Sequence, residues 1–138
     1  MSEKKIYGID SVALLSYFAN TLGKQGDDLF TRAESNEIQM LIPSIVIGES
    51  IYTILKNRNI FGITIPKEKV NYILEVLYQS PIFVIKELSR NGWPYFLKSK
   101  IKGLHDRMIV ATCLQNDVEF LITKDSEILE SNEINTLW

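Results

Sequence analysis

Apolar positions along the chain fall into alternating short runs and helical stripes. "KIYGI" (Lys5 to Ile9) reads as a first strand, ending at Asp10. "SVALLSYFAN" follows at helical spacing, with Val12, Leu15 and Phe18 or Ala19 on one stripe, and Gly23 and Gly26 break it. "DDLFTRAESN" predicts a second helix opening at Asp27 or Asp28. "EIQMLIP" (Glu37 to Pro43) is a second strand, and Ser44 is placed to cap the helix "IVIGESIYTILKN". Pro66 opens a further helix through "KEKVNYILEVLYQS", and "IFVI" (Ile82 to Ile85) is a buried strand. "LSRNGWPYFLKSKIKG" reads as one helix or two short ones around Gly92 and Pro94. A helix from Leu104 to Asn116, the strand "EFLIT" and a last edge strand in "INTLW" complete the pattern.

Strands thus alternate with helices, and the central strands are continuously apolar. That combination predicts an α/β fold: a three-layer α/β/α sandwich around a mostly parallel sheet of four to five strands. The 138 residues fit one domain, 1–138, without a linker, a repeat or a low-complexity tract. No apolar run approaches the roughly 20 residues of a membrane span, and "MSEKKIYGID" offers no signal-peptide core. A single cysteine excludes an internal disulfide and suits a reducing cytoplasm.

In parallel sheets of this kind, sites form beyond the carboxyl ends of the strands. Four acids share that address. Asp10 follows the first strand directly, and Asp125 follows "FLIT" closely. Glu49 lies in the helix after the second strand, and Asp106 stands in the first turn of its own helix. Each has an ordinary alternative. Asp10 could cap the next helix, Glu49 could be a solvated helix residue, Asp106 could meet its helix dipole, and Asp125 could be a turn residue. Caps and turns do not, however, require all four to fall at one sheet edge. Such a cluster opposes folding unless a cation offsets it. A hard ion such as Mg²⁺ suits oxygen ligands and keeps waters that a phosphate can replace.

Net charge is −2, from 15 Lys and Arg against 17 Asp and Glu, which by itself argues against a simple basic nucleic-acid module. With those four acids set aside, the remaining surface is slightly basic. "FLKSKIKGLHDR" places Lys98, Lys100, Lys102 and Arg107 beside Asp106, and Lys124 adjoins Asp125. These side chains either bind phosphates flanking the site or form a solvated face. "WPYF" (Trp93 to Phe96) either stacks unpaired bases or packs, packing or a dimer contact being favoured. His105 is read as structural, and Cys113 as core.

At the acids the sequence resembles the PIN-domain nucleases, including the toxins of VapBC-type toxin–antitoxin pairs. The matching pieces are "IYGIDSVALLSYF", "LIPSIVIGESIYTIL" and "GLHDRMIVATCLQNDVEFLITKDSEI". They supply Asp10 with Ser11, then Glu49, then Asp106, then Thr123 with Asp125, in the family's order. Arg107 stands where a small apolar residue is usual, and "KDSEI" lacks the aromatic often found after the last acid. The resemblance implies an α/β/α sandwich, Mg²⁺ or Mn²⁺, RNA cleavage to a 5′-phosphate and a 3′-hydroxyl, and frequent homodimers. For the toxin branch it implies a small antitoxin partner. On this reading Asp10 and Asp106 bind the ion directly, and Glu49 and Asp125 act directly or through waters. Ser11 and Thr123 would orient carboxylates or phosphate. The alternatives are a PIN nuclease of rRNA or other RNA processing without an antitoxin, and a non-catalytic PIN-like interaction module. A phosphatase ranks lower, for the first strand is followed by neither an Asp-x-Asp motif nor a Gly-rich loop.

Overall fold

The computed structural model describes residues 3–138. The chain runs β1 (Lys5–Ile9), α1 (Ser11–Ala19), α2 (Lys24–Glu34), β2 (Ile38–Pro43), α3 (Ser44–Leu55), β3 (Asn59–Ile60) and β4 (Ile63–Thr64). It continues through α4 (Val70–Gln79), β5 (Phe83–Lys86), α5 (Trp93–Lys98), α6 (Leu104–Gln115), β6 (Leu121–Ile122), α7 (Ser126–Ser131) and β7 (Thr136–Leu137).

Five strands form one parallel sheet in the order β5-β2-β1-β6-β7. Successive strand residues face opposite sides of a sheet. Met40 and Leu41 are neighbours on β2, and both are fully buried. Both faces are therefore covered, which is why the run reads as continuously apolar. The expected α/β/α sandwich is what the chain forms. "INTLW" supplies the predicted edge strand as β7, parallel to β6. Among the described residues, no helix is long and apolar enough to cross a membrane.

The order of strands positions the site. From β1 the chain steps one way to β2 and β5, and later returns to the other side of β1 to lay down β6 and β7. The reversal lies between β1 and β6, and in open parallel sheets the crevice beyond the strand ends at such a reversal is the usual ligand site. Close packing of α6 beneath this point needs a small residue on β1. A Cβ at Gly8 would stand 2.5 Å from Cys113 Sγ. Cys113 is core as expected, and burial pushes its thiol pKa upward. Gly8→Ala would overpack this contact at a cost of about 1–3 kcal/mol.

Local differences from the sequence expectation have physical causes. Ser44 is the first helical residue and makes no capping bond; Pro43, ending β2, is the cap residue. Helix α2 starts at Lys24, before Asp27, which sits in its first turn where a negative charge meets the helix dipole favourably. Pro66 leads first into a 3₁₀ turn, Lys67–Lys69, and α4 follows. The ambiguous segment forms one short helix, α5, with Pro94 in its first turn.

The hairpin β3–β4 was not expected. Its two-residue loop, Phe61-Gly62, has positive φ at both positions (48° and 91°), as a type I′ turn demands. Phenylalanine is a poor residue there, so the usual Asn-Gly signal is missing. Tertiary contact compensates, because the Phe61 ring packs edge-on against Trp138, with centroids 5.8 Å apart.

Candidate active site

Asp10 begins the site. It is 4% exposed and caps α1, with Oδ1 accepting the Ala13 N–H at 2.8 Å. Oδ2 accepts from the Thr123 hydroxyl, which arrives from the end of β6. The cap reading and the site reading of Asp10 are therefore compatible, because capping engages only one oxygen. The Thr123 hydroxyl in turn accepts the Asp125 N–H at 3.0 Å, and Asp125 caps α7 through Oδ1 to the Ile128 N–H at 3.0 Å. One buried hydroxyl thus joins the acid after β1 to the acid after β6.

Asp106 reaches the same edge from the first turn of α6, and Glu49 from the middle of α3. Charge links the set. Burial, first, pushes the Asp10 pKa up from 3.8 to about 6; hydrogen bonds from Thr123 and Ala13 oppose the rise, and the charges of Asp125 and Glu49 add to it. Burial also leads for Asp106, raised to about 7, followed by the charges of Asp125, Asp10, Glu49 and Glu127. Asp10 and Asp106 are both near enough to feel the charges of Asp125 and Glu49, as acids scattered over separate surfaces would not be.

Glu49 has one oxygen engaged and one without a partner. Its Oε2 lies 2.7 Å from His105 Nδ1, whereas its Oε1 is buried without a hydrogen-bond partner. An unpartnered buried carboxylate oxygen is costly and calls for a donor or a cation. Yet among the described residues no three His, Cys, Asp or Glu side chains close around a single ion. The donor set and the unpartnered oxygen fit a cation that takes one or two carboxylates directly and retains waters, which is the habit of Mg²⁺. They do not fit a four-carboxylate cage.

Two residues outside the predicted set help to shape the site. Glu127, in the first turn of α7, accepts the Gly103 N–H at 3.1 Å with Oε1 and the Lys102 N–H at 3.2 Å with Oε2. It thereby fixes the loop that launches Asp106. Its only signal in the sequence is the second acid of "DSE", which by itself is an ordinary first-turn residue. His105, read as structural, does hold Glu49, and it lies on the cavity surface as well. A cavity of about 590 Å³ is bordered by Ser11, Ser44, Glu49, Tyr52, Arg58 and His105. A second, of about 290 Å³, is bordered by Glu49, Gly103, Leu104, His105 and Asp106. The Glu49–His105 pair stands between them.

The predicted basic residues divide. Arg107 donates from Nε to the Phe96 carbonyl at 2.8 Å and from Nη2 to the Leu97 carbonyl at 3.4 Å, with its guanidinium 4.8 Å from the Phe96 ring centroid. It ties the end of α5 to α6. Trp93 packs edge-on against Phe96 at 5.2 Å, so part of "WPYF" serves packing. Lys124 Nζ lies over Phe61 and Trp138, at 4.9 and 5.5 Å from the ring centroids. Lys98, Lys100 and Lys102 are exposed on and after α5.

No protein-family model and no curated protein sequence matches the chain. Solved structures do. The VapBC2 complex of Rickettsia felis, bound to a DNA fragment from its promoter, matches at 17% identity and a TM-score of 0.71, over 96% of this chain and 98% of that one. FitAB bound to an IR36 DNA fragment matches at 13% identity and 0.65, over 95% and 93%. VapC20 of Mycobacterium tuberculosis, a sarcin–ricin-loop-cleaving toxin, matches at 10% identity and 0.58, over 91% and 95%. At these identities the likeness is one of fold, and the chain has the PIN-like α/β/α fold of the VapC toxins.

Proposed function

We propose that the protein is a divalent-metal-dependent endoribonuclease of the toxin type, restrained by a small antitoxin and active as a homodimer. The observation that supports this reading is the Thr123 hydroxyl joining Asp10 to the Asp125 backbone while Glu49 and Asp106 border one cavity, with Asp10 and Asp106 both raised by burial and by neighbouring acids. The fold shared with toxin–antitoxin complexes supports the toxin assignment and the antitoxin partner.

Asp10 and Asp106 would hold Mg²⁺ or Mn²⁺, with Glu49 and Asp125 acting directly or through waters. Such an ion supplies charge for the phosphate and lowers the pKa of a bound water. The chain's own residues do the rest. Thr123 keeps Asp10 oriented and favours its ionised form. Glu49 borders both cavities, where its carboxylate can take a proton from an attacking water, while its Oε1 is left buried without a partner. His105 Nδ1 holds the other Glu49 oxygen, so the carboxylate cannot rotate away. Ser11 borders the cavity, where its hydroxyl can reach a phosphate oxygen. Lys98, Lys100 and Lys102 offer cations beside a site whose own charge repels RNA.

Incubation with single-stranded RNA, DNA and a small phosphate ester, in Mn²⁺ or in EDTA, tests the reading. The expected result is RNA cleavage in Mn²⁺ alone, leaving 5′-phosphate and 3′-hydroxyl ends. Hydrolysis of the small ester without cleavage of RNA would make the site a phosphatase, and no hydrolysis in any arm would leave a PIN-like interaction module.

A further inference from the structure

The larger cavity differs in chemistry from the acids it adjoins. One wall is the Tyr52 ring with the Arg58 guanidinium over it, and Lys56, which does not border the cavity, also reaches over the ring. The end of α3 builds that wall. Asn57 takes a left-handed conformation, φ 55°, and the Arg58 N–H returns to the Thr53 carbonyl at 3.1 Å. The Asn57 N–H bonds the Ile54 carbonyl at 2.9 Å, so carbonyls of the last turn are satisfied at a left-handed chain reversal. This reversal holds the Arg58 guanidinium 5.5 Å from the Tyr52 ring centroid, with Lys56 Nζ at 5.4 Å. Tyr52 is 53% exposed, and among the described residues neither cation is in an ion pair. Ser11 and Ser44 border the same space, and Glu49 and His105 connect it to the cavity that Asp106 lines.

We propose that this cavity is a nucleotide subsite for single-stranded RNA. Tyr52 stacks the base next to the scissile phosphate, and Arg58 and Lys56 swing from over the ring to the neighbouring backbone phosphates. The nuclease reading supplies the identity of the adjoining acid site; the binding itself needs no metal. A volume of about 590 Å³ lies within the usual range of a small-ligand pocket, roughly 300–1,000 Å³. An exposed ring and cations in no ion pair, close together, are the groups by which proteins hold unpaired bases and their phosphates. A base within an A-form duplex is stacked on its neighbours and could not lie on the ring. The cations also offset the repulsion that four acids exert on a polyanion.

The test measures anisotropy of a 5′-labelled single-stranded hexaribonucleotide with the full chain in EDTA, alongside cleavage in Mn²⁺. Tyr52→Ala is expected to weaken binding about tenfold, and Tyr52→Phe, which keeps the ring, less than about twofold. Arg58→Ala is expected to weaken binding several-fold and to lower the salt slope by about one. In Mn²⁺ these substitutions should raise KM and leave kcat within about twofold. The positions are exposed, and circular dichroism verifies the fold of each variant. Wild-type affinity and salt slope in both Tyr52→Ala and Arg58→Ala, or no RNA binding by the wild type, overturns the subsite. Ring- and arginine-dependent binding without cleavage keeps the subsite and removes the nuclease reading. Cleavage with an unchanged KM in both variants does the reverse.

Discussion

The Thr123 hydroxyl donates to Asp10 Oδ2 across a separation of 113 residues, in a buried position, while accepting the Asp125 N–H. This bond welds the ends of β1 and β6 at the sheet's switch point and sets the direction of the most deeply buried acid in the site.

Thr123→Val keeps the shape of the side chain and removes the hydroxyl. It leaves a buried carboxylate oxygen and a backbone N–H without their partner, for an expected loss of about 1–3 kcal/mol in urea unfolding. The Asp10 pKa, which this bond lowers, should rise further. The acid limb of the cleavage profile would then move to higher pH. Thr123→Ser should restore both, and an unmoved profile in the valine variant would separate this hydroxyl from catalysis.

Asp10→Asn and Asp106→Asn should each reduce Mn²⁺-dependent cleavage by about a hundredfold or more, by loss of a ligand for the ion. Metal-free stability should not fall in parallel. The amide oxygen of the Asp10→Asn variant can still accept a hydrogen bond, and removal of either charge relieves repulsion among the acids. Differential scanning fluorimetry in EDTA at pH 8 is expected to give an equal or higher Tm for Asp106→Asn. Unaltered cleavage in either variant would falsify the assignment of the site.

Stability should depend on pH and on metal in opposite senses. Asp10 and Asp106 have folded pKa values near 6 and 7, against 3.8 unfolded. Between these values the folded chain holds more protons. Their contribution is fully present below about pH 4 and is lost as pH rises through 6 and 7. Metal-free protein should therefore have a higher Tm at pH 5 than these two groups allow at pH 8. Mg²⁺ binds the ionised forms, so its stabilisation grows with pH and reaches about 2.7 kcal/mol at a hundred times its Kd. Equal Mg²⁺ stabilisation at both pH values would exclude these acids as the ligands.

Glu127 positions Asp106 through the backbone of Lys102 and Gly103. Glu127→Ala should weaken Mn²⁺ affinity about tenfold, in the range seen for outer-shell partners. Glu127→Gln retains an acceptor and should recover part of that loss. Isothermal titration with Mn²⁺ checks both, and identical affinities across the three proteins would reduce Glu127 to a loop tether.

A Lys98, Lys100 and Lys102 triple alanine variant should bind RNA more weakly, with a shallower salt slope. Arg107→Ala should act differently. Its guanidinium holds the Phe96 and Leu97 carbonyls, so it should lower Tm first and change the salt slope little. A normal slope in the lysine variant would return those side chains to solvent.

The four acids were legible because each lies at a junction that sequence marks locally. Asp10 follows an apolar run, Asp125 does the same, Asp106 opens a helical stripe, and Glu49 interrupts one. Arg58 and Tyr52 were not legible as a pair. Their meeting depends on the left-handed turn at Asn57, and Asn takes that conformation without announcing which way the next side chain will fold. The hairpin after α3 escaped for a related reason, since Phe61 occupies a turn position that local preference would deny it.

The sequence by itself determined the alternation of strands and helices, the covered parallel sheet and the edge at which the acids stand. Those properties follow from periodicity and strand burial, which are local or averaged along the chain. Only the tertiary structure decided that Thr123 bonds Asp10, that His105 holds one Glu49 oxygen and leaves the other without a partner, and that Arg107 serves packing. Hydrogen bonds and ion contacts are short-ranged and directional. They depend on ångström-scale distances between segments far apart in sequence, which no pattern along the chain specifies.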